Sequence, residues 1–196
     1  PDISKLLEVG VDEILGAGRG EEGGEEGLQK LVDAPLFEKI LARIRMAGSL
    51  SELTMNLDFF VYLGAAQKSD AIAALLEMDD YHLALDEILP YSSQPQRATI
   101  VTHILENQDY DLLEQISSHI SNEIKFTALT TLLDEGRFDI IEDNMPAFNR
   151  KHRDIIVQYF GTNTVDMEII ENFIPFFDKN QRQRLAQSLN LEEEEQ

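Results

Sequence analysis

Cysteine and tryptophan are both missing from this sequence. Without cysteine there is no disulfide scaffold, no thiolate nucleophile, no cysteine zinc site and no cysteine-held iron–sulfur cluster. Long apolar runs are missing as well, and none nears the roughly 20 residues that span a bilayer. The opening residues carry no charged-then-apolar leader, so a cytoplasmic, intracellular chain without membrane insertion is expected. Basic residues are scarce. Sixteen Lys and Arg stand against 37 Asp and Glu, a net charge of −21. That balance argues against direct binding to a nucleic-acid backbone or an anionic membrane. A length of 196 residues suits one domain with a sizeable core.

About half of the negative charge lies at the two ends. Residues 1–27 carry −6 and Glu192 to Glu195 add −4, which leaves −11 for the body. Residues 1–15 read as a short amphipathic helix, with Ile3, Leu6, Leu7, Val11, Ile14 and Leu15 on one side and Gly10 weakening it. Residues 16–27 hold six glycines and four glutamates in twelve positions. Such a stretch buries no apolar area and reads as a flexible tether with a reach of about 17–21 Å. Residues 28–190 read as helical almost throughout, and residues 191–196 as an acidic tail. Breaks are expected at Pro35, Gly48, Gly64, Pro90, Pro95, Gly136, Pro146, Gly161 and Pro175, leaving short packed helices between them.

An internal repeat is the strongest signal. Tyr81 to Pro90, Tyr110 to Ser118, Phe138 to Pro146 and Glu168 to Pro175 align with one another. In one column Leu85, Leu113, Ile141 and Ile170 are apolar, at steps of 28, 28 and 29 residues. In the next, Asp86, Glu114, Glu142 and Glu171 are acidic. Pro90, Ser118, Pro146 and Pro175 are expected to end the helix. A preceding helix closes at Ala74-Leu75-Leu76-Glu77, at His103-Ile104-Leu105-Glu106 and at Thr131-Leu132-Leu133-Asp134, and an aromatic, Tyr81, Tyr110 or Phe138, opens the second helix. The fourth copy has Gly-Thr-Asn-Thr-Val at 161–165 instead, which predicts a looser turn. The unit is a helical hairpin of 28–29 residues, too small to bury its own apolar faces, so units must stack.

This pattern resembles the α-solenoids, the broad class of helical-hairpin repeat proteins, and its unit length is near that of clathrin-type and HEAT-like repeats. The resemblance covers residues 68–178 and extends to 28–67. The tetratricopeptide and ankyrin signatures are absent. The class implies an all-α fold, a right-handed solenoid of stacked antiparallel hairpins, with a compact helical bundle as the alternative. It implies a scaffold or binding surface, not catalysis. Residues 28–50 and 179–190, with Arg182 and Arg184, are expected to cap the stack.

Motifs that would carry chemistry are not found. His82, His103, His119 and His152 form neither the zinc-protease pair nor the Glu-x-x-His pairs of di-iron bundles. His103 with Glu106, and His82 with Asp86, share a helix face and chelate weakly at most. Gly16, Gly18 and Gly20 lack the third glycine of a dinucleotide loop, since Glu21 stands in its place. No cofactor and no enzyme activity are expected. Basic residues gather at Arg150, Lys151, His152 and Arg153 and at Lys179, Arg182 and Arg184, in keeping with solubility or with pairing to the acidic columns.

Two functions follow as expectations. The first is a non-catalytic interaction, scaffold or adaptor module. It would act as a monomer or as a subunit of a hetero-complex, and would bind a basic protein through Asp86, Glu114, Glu142 and Glu171. Leu6, Leu7, Ile14 and Leu15 of the tethered helix offer a second contact. The alternative is an acidic inhibitor that mimics nucleic acid and blocks a nucleic-acid-binding protein.

Overall fold

A computed structural model describes residues 32–53 and 55–189. The expectations for residues 1–15, 16–27 and 191–196, and for Leu6, Leu7, Ile14 and Leu15, lie outside these. Every regular element among the described residues is a helix, and none of these helices is long and apolar enough to cross a membrane. The chain divides into two units, Pro1–Ile100 and Val101–Gln196, with the division inside one helix.

The first unit starts with α1 (Ala34–Met46) and a 3-10 helix (Leu57–Tyr62). Then come α2 (Ala65–Leu76) and a composite second helix, whose α-helical centre α3 (Leu85–Ile88) lies between 3-10 turns at Tyr81–Ala84 and Leu89–Tyr91. The helix α4 (Gln94–Asn107) begins in this unit. α1 packs on α2, and Leu57–Tyr62 packs on α3. Phe37, Ile40, Leu41 and Ile44 recur at three and four along α1 and are all buried. They meet a core that includes Phe60, Ile72, Leu75, Leu85 and Ile88. Burying each such side chain contributes about 1.5–3 kcal/mol.

The second unit holds α5 (Asp111–Ile116), α6 (Asn122–Asp134), α7 (Phe138–Asp143), α8 (Arg150–Thr162), α9 (Met167–Phe173) and α10 (Lys179–Ser188). First helices pack on first helices, α6 on α8 and α8 on α10, while α7 packs on α9. The apolar column is fully inside: Leu85, Leu113, Ile141 and Ile170 are all buried. Tyr81 and Tyr110 are buried and Phe138 is half-buried, as wedges should be.

A second register marks where each first helix begins. The residue just ahead is Asp33, Gly64, Ser93, Ser121, Asn149 or Asp178, at steps of 31, 29, 28, 28 and 29. Asp33, Ser121, Asn149 and Asp178 accept from backbone N–H groups of the first turn, which would otherwise be unsatisfied. Three residues further on, one side chain serves two helices. Gln96 accepts from the Ser93 N–H at 2.8 Å and donates to the Ala65 carbonyl at 2.9 Å. Gln181 accepts from the Asp178 N–H at 3.0 Å and donates to the Arg150 carbonyl at 3.2 Å. His152 makes the same pair of bonds, to the Asn149 N–H at 3.2 Å and the Asn122 carbonyl at 3.0 Å. Gln67 accepts from Gly64 N–H and reaches the Val32 carbonyl. Each accepts from the backbone N–H of its own N-cap residue and bolts its helix to the start of the previous one, Gln96, His152 and Gln181 to its first turn and Gln67 to Val32, just ahead of the N-cap Asp33. Ile124 holds this place in α6 and has no polar end to make the link.

The next position is basic: Lys68, Arg97, Lys125 and Arg153. Lys68, Lys125 and Arg153 donate to the carbonyls of Tyr91, Ala147 and Phe176, where the second helix of the same hairpin finishes. A cation there meets the negative end of the helix. Arg97 turns back to the Leu89 carbonyl instead. Burial holds the Lys68 ammonium below its ordinary range.

Several expected breaks take other roles. Pro35, Gly64 and Pro95 sit at helix starts, where proline loses no bond and an N-cap glycine is tolerated. Pro90, Pro146 and Pro175 do not stop the chain's helical path. Each sits in a 3-10 turn that prolongs the second helix by three residues. Gly136 does end a helix. Its φ is 68°, and it closes α6 with bonds from Gly136 N–H to Leu133 O and from Arg137 N–H to Leu132 O.

Gly161 is not a break, because α8 runs on to Thr162. A Cβ there would lie 2.5 Å from Ser188 Oγ and 2.8 Å from Ser188 Cβ. Glycine lets α8 and α10 approach closely. Helix propensity alone would favour Gly161→Ala by about 1 kcal/mol. The clash reverses this, and Gly161→Ala is expected to destabilise by about 1–3 kcal/mol. Adding Ser188→Gly should recover most of the loss in urea titrations. If the single variant gains stability, the close approach is not what selects glycine.

Candidate functional site

The second-helix segments, residues 81–91, 110–118, 138–147 and 166–176, together hold ten Asp and Glu and no Lys or Arg. The basic residues instead concentrate near the starts of the first helices, as Lys68, Arg97, Lys125, Arg150, Lys151, Arg153, Lys179, Arg182 and Arg184. Charge is therefore sorted by helix. One helix of each hairpin carries the cations that bond to carbonyls. The other faces water with carboxylates.

Asp86, Glu114 and Glu171 are exposed, and Glu142 is half-buried. In the second unit Glu142 and Glu171 lie on the packed pair α7 and α9, where Asn172 Nδ2 donates to Glu142 Oε2 at 3.4 Å. Asp111, Asp139, Asp143, Asp166 and Glu168 are exposed in the same unit, and Glu87 beside Asp86 in the first. Exposed apolar side chains interrupt the acids on these segments: Leu83 and Tyr91 in the first unit, Met167 and Ile174 in the second. Met167, Glu171 and Ile174 are four and three residues apart, so they form one stripe along α9 and its 3-10 extension.

Most charges that could compete with this face are already engaged. Arg137 bonds Asp139 through two nitrogens and lies over the Tyr110 ring at 4.3 Å. Its hydrogen bonds hold the Asp139 carboxyl below the usual range. Tyr110 donates to Glu135 at 3.1 Å, and burial, then this bond, raises its phenol. The basic clusters of α8 and α10 pair with the N-cap Asp178 and with Asp154 inside α8 rather than with the acidic column. Arg150 meets Asp178 at 3.1 Å, and Arg184 meets Asp154. Partial burial works against the Asp154 carboxylate, but bonds from Gln181 and Arg184 outweigh it and hold that group below its ordinary range.

Among the described residues no three His, Asp or Glu side chains converge as a metal site would require. His103 bonds Asn107, His82 lies edge-on to Tyr81, and His152 is a buried helix cap. A shallow hollow of about 310 Å³ lies between the starts of α2 and α4, and Ala65, Ser69, Pro95 and Gln96 line it. It holds no cation. Its buried amide, Gln96, is spent on Ala65 and Ser69. The feature that stands out in each unit is thus an acidic second-helix surface with apolar points. No protein-family model matches this chain, and no curated protein and no solved structure matches it either.

Proposed function

We propose that this protein is a non-catalytic interaction module, an α-solenoid of helical hairpins that binds a basic protein partner through its second helices. The sorting of charge carries the reading: ten carboxylates and no Lys or Arg on the second-helix segments. Stacking is supported by the recurring bonds from Gln67, Gln96, His152 and Gln181 to the start of the preceding first helix, made in each unit. A surface of one sign raises encounter rates with an opposite partner and disfavours wrong ones. Apolar points such as Met167 and Ile174 would add the desolvated contact that charge alone does not supply.

The test is a pull-down at low and high salt, with Asp86→Lys, Glu114→Lys, Glu142→Lys and Glu171→Lys combined as the control. All four positions face water at least in part, so helical content should be unchanged. A basic protein that is lost both in high salt and with the combined variant is the expected result. A partner retained by that variant would remove the acidic column from the reading. A nucleic-acid-binding protein held by the wild type would favour mimicry of nucleic acid over a scaffold role.

A further inference from the structure

We infer that the open flank of α9 and α10 is a docking slot for one further helix, supplied by a basic partner. The inference rests on the stacked-hairpin reading above and adds a second surface to it. A second helix has two neighbours to lean on. α7 packs on α6, its own first helix, and α9 packs on α7. Among the described residues no helix takes the corresponding place beside α10 and α9.

Four positions on two helices mark that place. Three residues before and four after Ile141 stand Phe138 and Met145, half-buried and completely buried. The same places around Ile170 are Met167 and Ile174, 41 % and 36 % exposed. Five residues after the bolting position the first helices carry Ile72, Val101, Leu129 and Val157, all buried, but α10 carries Ala186, half-buried. Eight residues after it, Leu75, Ile104, Leu132 and Phe160 are fully buried, but Leu189 is half-buried. A single exposed apolar residue is ordinary. Four in one register, each covered in the preceding hairpin, mark a face shaped for a helix.

The cations repeat the pattern. Lys68, Lys125 and Arg153 hold the last carbonyls of the second helix in their own hairpin. Arg182 has that place in α10, is exposed, and has no such carbonyl among the described residues. A helix lying in the slot parallel to α9 would bring its negative end to this guanidinium.

Charge selects the occupant. Glu168 and Glu171 are exposed beside Met167 on α9. Residues 1–15 hold one Lys and four acids, residues 191–196 hold four Glu and one apolar residue, and a second copy carries −21. All three would meet these carboxylates with the same sign. A basic amphipathic helix meets them with the opposite one. The α7–α9 contact supplies its pattern. Ile170 and Phe173, three apart, are the buried residues of α9, and Asn172 donates to Glu142. Glu171 holds the place of Glu142 in α9, so the occupant should carry two apolar residues three apart, with Lys or Arg just before the second.

The experiment selects binders to the full chain from a phage-displayed library of random peptides of about 14 residues. The expected winners carry that basic pattern. Their affinity should fall at least about ten-fold for Met167→Lys combined with Ile174→Lys, and should be nearly unchanged for Asp86→Lys combined with Glu114→Lys. Winners without the pattern, or none, would overturn the slot. Winners lost with the Asp86 and Glu114 pair but not with the Met167 and Ile174 pair would also overturn it, while leaving the acidic column as the binding face. The chain has no cysteine, so Met167→Cys introduces a unique thiol. Free reaction of that thiol with a maleimide in the full chain, and at least about ten-fold protection by a selected peptide, is expected. Protection without any peptide would overturn the partner by showing that the chain covers its own slot.

Discussion

Truncation of Phe160 to alanine is expected to cost about 3–5 kcal/mol. The ring is completely buried near the end of α8. Its centroid lies 5.8 Å from Phe138, 6.5 Å from Tyr159 and 5.2 Å from Phe173, so it joins α7, α8 and α9. Edge and tilted contacts of this kind add about 0.5–1.5 kcal/mol each beyond burial. Phe138 and Phe173 would have to collapse into the void, and helices held at both ends collapse poorly. Phe160→Leu keeps most of the volume and should cost roughly half as much. Urea unfolding at neutral pH measures both. A loss below about 1 kcal/mol for Phe160→Ala would mean that the three second-unit helices do not share this centre.

The second large effect is expected at a polar residue. Gln181 is 1 % exposed and makes three bonds: from Asp178 N–H, to Arg150 O and to Asp154 Oδ1. Gln181→Leu keeps the size but leaves a donor and two acceptors without their partner in or near the α8–α10 contact. A cost of about 2–3 kcal/mol is expected, since a buried polar group left unpaired loses more than the bond was worth. Gln181→His should be far milder, because His152 performs the same two tasks with an imidazole. The pH dependence has a definite sign. Asp154 titrates below the ordinary range partly through its bond from Gln181. A carboxylate depressed on folding stabilises above its unfolded value, about 3.9, and that stability is lost as pH falls through the folded value. The gap between wild type and Gln181→Leu should therefore narrow below about pH 4. A gap that stays constant to pH 3 would show that Asp154 is not coupled to this amide.

How much of this was legible beforehand differs by element. The closures of the first helices at Leu76, Asn107 and Asp134 could be read from the apolar pattern. So could the burial of Leu85, Leu113, Ile141 and Ile170. Both depend on periodicity, which is local. The bolts were missed although they are written in the chain as Gln67-Lys68, Gln96-Arg97, Ile124-Lys125, His152-Arg153 and Gln181-Arg182, each starting three residues after a Gly, Ser, Asn or Asp. Their sense depends on a carbonyl about 30 positions earlier. In the sequence His152 is one of a basic cluster, Arg150 to Arg153. Its near-complete burial comes from Phe148 and α6 packing over it.

Gly161 marks the same divide. As a letter in the chain it signals a helix end, since glycine weakens helices. In the fold it sits inside α8, because Ser188 on α10 leaves no room for a methyl group. The prolines at 90, 146 and 175 likewise read as stops and proved to be turns that extend the second helices. What the sequence determined by itself is what repeats along the chain: helical hairpins, a step of 28–29 residues, and a second helix with acids and no Lys or Arg. Those depend on neighbours three or four positions away and on composition. What only the tertiary structure decided is which polar side chains bridge two helices and which glycine is a contact. Both depend on atoms brought within about 3 Å by packing, and the separation of those atoms along the chain carries no local signal.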